Sequence, residues 1–118
     1  MLVALLAACS GGNSGPSYAS PHDIASALDC TTSYDEEPGA IAPADVATCR
    51  FEGEQVTLVV GDDVGQRDAT ITMASKLARK FGARGEASAV VGGTWAVLTE
   101  SPDTAEDAQA KVGGEVRG

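Results

Sequence analysis

Apolar residues recur along this chain at two spacings, and the changes between them divide it into five segments. Ile24 and Leu28 lie one helical turn apart, flanked by Ala25 and Ala27, which predicts a first helix. Ser20 suits its N-cap, Pro21 its first turn and Asp23 the reciprocal acid of a capping box. This helix should end near Asp29-Cys30. Residues 47–52 then alternate, with Cys49 and Phe51 on one face and Thr48 and Arg50 on the other. Residues 55–60 return with Val56, Leu58 and Val60 on one face, so the pair predicts a hairpin turning at Glu52-Gly53-Glu54.

A second helix is expected over residues 66–81, stopping at Gly82. Ile71, Met73, Ala74, Leu77, Ala78 and Phe81 share one arc of it, and Lys76, Arg79 and Lys80 fall on the other with Thr72 and Ser75. Residues 87–91 and 94–100 predict a second hairpin closed by Gly92-Gly93 in a tight primed turn. Trp95, Val97 and Thr99 line one of its faces, and Ala96 and Leu98 the other. Both faces are mostly apolar, which suits a central or well-covered position. Ser101-Pro102-Asp103 starts a last helix with a thin stripe of Ala105, Ala108 and Val112, ended by Gly113-Gly114. The helix-hairpin unit occurs twice, which hints at an internal pseudo-repeat. The order α-β-β-α-β-β-α predicts an α+β two-layer domain over residues 20–118, with three helices mainly on one side of a four-stranded antiparallel sheet.

Between these elements the chain is polar. Residues 31–45 read as one long loop holding the acidic run Asp35-Glu36-Glu37, without the spacing of an EF-hand calcium loop. Asp62-Asp63 could form a carboxylate site, but a cap at the start of the second helix explains them more simply. His22, the only histidine, is expected in solvent, and Trp95, the only tryptophan, in the core. Residues 10–19 are rich in Gly and Ser, lack a hydrophobic period and read as a flexible tether, with Tyr18 as loop decoration.

Charge changes the picture in one respect. Seventeen acidic residues against eight basic ones give a formal charge of -9, which argues against a nucleic-acid partner. The simplest role of that charge is solubility. The cations Lys76, Arg79 and Lys80 are explained first by the helix dipole, because they sit in its last turns. They and Asp35, Glu36 and Glu37 are the candidate interaction residues.

The run Leu6-Ala7-Ala8-Cys9, followed by Ser10-Gly11-Gly12, resembles the lipobox of bacterial lipoproteins. There the chain is cut before the cysteine, which carries a diacylglyceryl thioether and an acylated amine. Together with Cys30 ending a helix, Cys49 opening a hairpin and Gly93-Thr94-Trp95-Ala96-Val97 in a second hairpin, it looks like small actinobacterial lipoproteins of unknown function. The resemblance spans essentially the whole chain, and its specific part is the lipobox. It implies a signal segment over 1–8, shortened at its basic end. A lipidated Cys9 with its tether would follow over 9–19, on the outer face of the cell membrane. It also implies an intramolecular disulfide, and it supplies no catalytic residues.

Three cysteines fit that scheme: lipid takes Cys9, and Cys30 and Cys49, 19 residues apart, can pair. Two buried thiols in a reducing compartment are the alternative. The chain offers no G-x-S-x-G or H-E-x-x-H motif and no C-x-x-C pair. The expectation is therefore a monomeric, lipid-anchored binding or interaction domain of the cell envelope, with no catalytic activity, cofactor or metal. Its partner would be an envelope protein or ligand. The alternatives are a periplasmic inhibitor or immunity-like protein that presents its acidic loop to a secreted basic partner and, more remotely, an enzyme.

Overall fold

A computed structural model describes residues 16–36, 44–80 and 88–117, with the backbone alone over 74–80. The helices are α1 (Pro21–Leu28), α2 (Val64–Lys80) and α3 (Pro102–Val112). The strands are β1 (Asp35–Glu36), β2 (Asp45–Phe51), β3 (Glu54–Val60), β4 (Ser88–Val91), β5 (Trp95–Thr99) and β6 (Glu115–Arg117). The sheet is antiparallel throughout, in the order β1-β2-β3-β5-β4-β6. Among the described residues the α+β class and three helices are as expected, but the sheet has six strands rather than four. The additional strands are the two edges, formed by the acidic run after α1 and by the segment beyond Gly113-Gly114.

Alternation along the central strands produces two cores. Val56, Leu58, Val60, Trp95, Val97 and Val90 point to one face, where they pack against Ile24, Ala25 and Leu28 of α1 and Ala105, Ala108 and Val112 of α3. Val59, Ala96, Ala89 and Val91 point to the other, against Ile71 of α2. Helices therefore lie on both faces, two against one, and α1 and α2 are not equivalent. The repeated helix-hairpin order does not become a spatial repeat. Instead β3 and β4 run in the same direction, α2 carries the chain between them, and β5 returns in the gap.

Local signals set each joint. Ser20 caps α1 by accepting from the Asp23 amide at 3.4 Å. At its other end Asp29 takes a left-handed conformation (φ 62). The Cys30 amide donates to the Ala25 carbonyl at 2.9 Å and the Asp29 amide to that of Ser26 at 3.1 Å. This Schellman arrangement reverses the chain and turns Cys30 back toward the core. Cys30 meets Cys49 of β2 in a disulfide with Cα atoms 5.9 Å apart, both residues nearly fully buried. The first hairpin turns at Glu52-Gly53, both with positive φ (56 and 79), as a primed two-residue turn requires. In the second hairpin Gly92 pairs with Trp95, its amide donating to the Trp95 carbonyl at 2.9 Å, so the loop is Gly93-Thr94. Neither loop residue takes a positive φ, so the expected primed turn at Gly92-Gly93 is not formed. Asp63 caps α2 by accepting from the Gln66 amide at 2.8 Å. The predicted stop of α2 at Phe81-Gly82 lies outside the described residues.

The disulfide joins α1 to the sheet across a closed loop whose ends are 19 residues apart. Replacing both Cys30 and Cys49 with Ala should cost roughly 3 kcal/mol, chiefly by freeing the unfolded chain. Urea unfolding of the double variant measures this. A variant as stable as the parent contradicts the stapling role.

Candidate functional site

The acidic run predicted as loop forms the outermost strand on one side. Cys30 begins a 3-10 turn, Thr31–Ser33. The Ser33 hydroxyl donates to the Cys30 carbonyl at 3.3 Å and accepts the Arg50 amide at 2.8 Å. That tie lays the following residues along β2, with Asp35 opposite Thr48 and Glu36 opposite Ala47. Asp35 and Glu36 are both exposed. Two charged residues on a short outer strand also discourage edge-to-edge pairing. Glu37 lies outside the described residues.

Tyr34 is the pivot of this edge. One side of its ring packs on the core, and His22 of α1 meets it edge-on, with centroids 4.9 Å apart. His22 is otherwise exposed, as expected. The Tyr34 hydroxyl donates to Glu36 Oε2 at 3.3 Å. Burial, then the charge and hydrogen bond of Glu36, then the charges of Asp45 and Asp23, push its pKa up to about 12. The phenol is thus a hydrogen-bond donor in a negative field and is held away from phenolate. The exposed carboxylates and the donor hydroxyl of this arrangement suit a cationic group. Among the described residues, no group of three or more His, Cys, Asp or Glu could hold a metal ion, and no helix is long and apolar enough to cross a membrane.

The other candidates are not brought to this edge. Lys76, Arg79 and Lys80 lie in the last turns of α2, on the far face of the sheet, and their side chains are outside the described residues. Cys9 is also outside them. Asp62-Asp63 are accounted for as a helix start: Asp63 is the cap, and the Asp62 amide donates to the Gln66 side chain at 2.8 Å.

Three placements were not foreseen. Tyr18 is no decoration: its ring meets Trp95 edge-on at 4.9 Å, and its hydroxyl donates to the Val112 carbonyl at 3.0 Å. Arg67, nearly buried in the first turn of α2, donates to the carbonyls of Gly92 and, at 3.1 Å, Gly93, and pairs with Asp68 at 2.8 Å. A cation in a first helical turn opposes the helix dipole, and that was the available signal that it has another partner. Glu54 accepts from the Glu100 amide, the Thr104 hydroxyl at 2.8 Å and the Ser101 hydroxyl at 3.4 Å, tying the first hairpin to the start of α3.

No protein-family model, curated protein or solved structure matches this chain.

Tyr34 yields a signed prediction. Its folded pKa of about 12 exceeds the ordinary 10.0, so above that value the folded chain keeps a proton that the unfolded chain loses. The associated stability is complete below the unfolded pKa and is lost as pH rises through the folded one. With Tyr18 replaced by Phe, tyrosinate absorbance should report Tyr34 with a midpoint of about 12, moved down by Glu36→Gln. An unmoved midpoint would separate Tyr34 from Glu36.

Proposed function

We propose that the chain is a lipid-anchored protein of the cell envelope, tethered through Cys9, whose folded part is a binding or interaction domain without catalytic activity. The observation that carries this reading is the buried Cys30–Cys49 disulfide. Such bonds persist in oxidising compartments outside the cytoplasm. The bond also uses two of the three cysteines and leaves Cys9, at the end of Leu6-Ala7-Ala8-Cys9, without a disulfide partner in the chain. Outside the cytoplasm, an unpaired cysteine behind small apolar residues is most simply a lipid acceptor.

The surface proposed for a protein partner is the β1 edge, with Asp35 and Glu36 exposed beside Tyr34 and His22. A basic partner suits it. The same surface supports the second reading, an inhibitor or immunity-like protein that presents Asp35 and Glu36 to a basic cleft. Neutralising these two residues should abolish inhibition of such a partner while leaving the anchor in place.

Mass spectrometry of the N-terminal peptide, from protein expressed at its native locus with the upstream DNA, tests the anchor. A peptide beginning at a lipidated Cys9 is expected. An unprocessed Met1 end in a cytoplasmic protein would overturn the reading.

A further inference from the structure

The segment before α1 is clamped to the core. Trp95 Nε1 donates to the Pro16 carbonyl at 2.7 Å. Two residues on, Tyr18 packs edge-on against the same indole at 4.9 Å and donates to the Val112 carbonyl at 3.0 Å. These contacts fix residues 16–18 at one end of the sheet. Val60 pairs with Trp95 there, Gly61 donates to the Thr94 carbonyl at 2.8 Å, and α3 ends. The opposite end holds the Glu52-Gly53 turn and the start of α3, where Thr104 donates to Glu54. From Val60 back to Glu54 is about 20 Å of strand.

From this clamp the geometry points to a fixed polarity of the domain on a bilayer: the Trp95 end faces the lipid and the Glu54 end faces outward. The inference rests on the proposed anchor at Cys9. Six residues lie between Cys9 and Pro16, and the seven Cα–Cα steps span at most about 25 Å when fully extended and roughly 15 Å on average for a chain of Gly- and Ser-rich composition. A tether running free to residue 19 would give a longer lead and leave the domain more freedom to turn. Clamped at Pro16 and Tyr18, the chain leaves the domain at the Trp95 end, with an average lead shorter than the roughly 20 Å of strand that separates the two ends. The partner of that end is the lipid surface. The end with Glu52, Glu54 and Asp103 is the one available to proteins farther out, and the β1 edge lies along the side.

The test couples the full chain, its Cys30–Cys49 bond intact, through Cys9 to a maleimide-headgroup lipid in phosphatidylcholine vesicles that carry an energy-acceptor lipid. One donor dye is placed through an azide-bearing residue at exposed Asp62, beside the Trp95 end, and in a second preparation at exposed Asp103, at the far end. Transfer from position 62 should exceed that from position 103 severalfold, and Tyr18→Ala should close the gap. Equal transfer from the two positions, or a gap that survives Tyr18→Ala, would overturn the inference. Chemical coupling keeps this outcome separate from native lipidation. A lost gap leaves the anchor reading intact, whereas an unlipidated native Cys9 removes the anchor and leaves the clamp as a property of the fold.

Discussion

The contact on which most of this fold depends is the indole of Trp95 lying directly over Gly92. Both residues belong to the second hairpin, and a Cβ on Gly92 would overlap the indole at Trp95 Cε2 and Nε1. The constraint is one of space, since Gly92 has no positive φ. The seated ring organises its neighbours. Gly114 (φ 84) passes so close that a Cβ there would stand 3.0 Å from Trp95 Cη2 and 2.8 Å from the Val91 carbonyl oxygen. Only a glycine can therefore lead the chain from α3 into β6 at this point. Arg67 of α2 holds the carbonyls of the same hairpin from the other side. Pro16 and Tyr18 close over the ring. One fully buried tryptophan thus touches or orders the N-terminal segment, β4, β5, the end of α3 and β6, in a chain otherwise short of aromatic residues.

Within the same core, the disulfide plays the corresponding part toward the β1 edge of the sheet. It fixes α1 and the 3-10 turn to β2, and thereby sets Tyr34, Asp35 and Glu36 along the edge. The two devices divide the work. The tryptophan end receives the incoming chain, and the disulfide side orders the acidic edge that we propose for recognition.

Much of the interior was legible in the sequence. The period of two at 47–52, 55–60 and 94–100 groups Cys49 with Phe51, Leu58 with Val56 and Val60, and Trp95 with Val97 on their own strands, and the fold brings these groups into one core. Ser20, Ser101, Pro21 and Pro102 mark helix starts that form as expected. The edges were not legible, for physical reasons. Asp35-Glu36 and Glu115-Val116-Arg117 are too short to show a period, and Asp and Glu are poor strand formers, so only pairing with β2 and β4 makes them strands. The side of the sheet that α2 covers depends on the crossover from β3 to β4, which no local pattern encodes. The arc of α2 was read from its apolar residues, yet the buried positions at its start are Arg67 and Thr70. Their partners, the Gly92 carbonyl and the Ala44 amide, lie 25 and 26 residues away. Tyr18 was lost in a Gly- and Ser-rich stretch because one aromatic gives no periodicity. Of the interaction residues, Asp35 and Glu36 are placed together on an exposed edge, and the basic residues of α2 lie on the opposite face of the sheet.

The most direct test is the substitution Gly92→Ala, followed by urea unfolding and by the emission of Trp95, the only tryptophan. The account predicts a loss of roughly 2–4 kcal/mol, because the added methyl must displace a fully buried ring from its seat. It also predicts red-shifted emission with greater access to a soluble quencher. A Gly92→Ala protein with the parent's stability and the parent's emission would contradict the claim that this contact organises the fold.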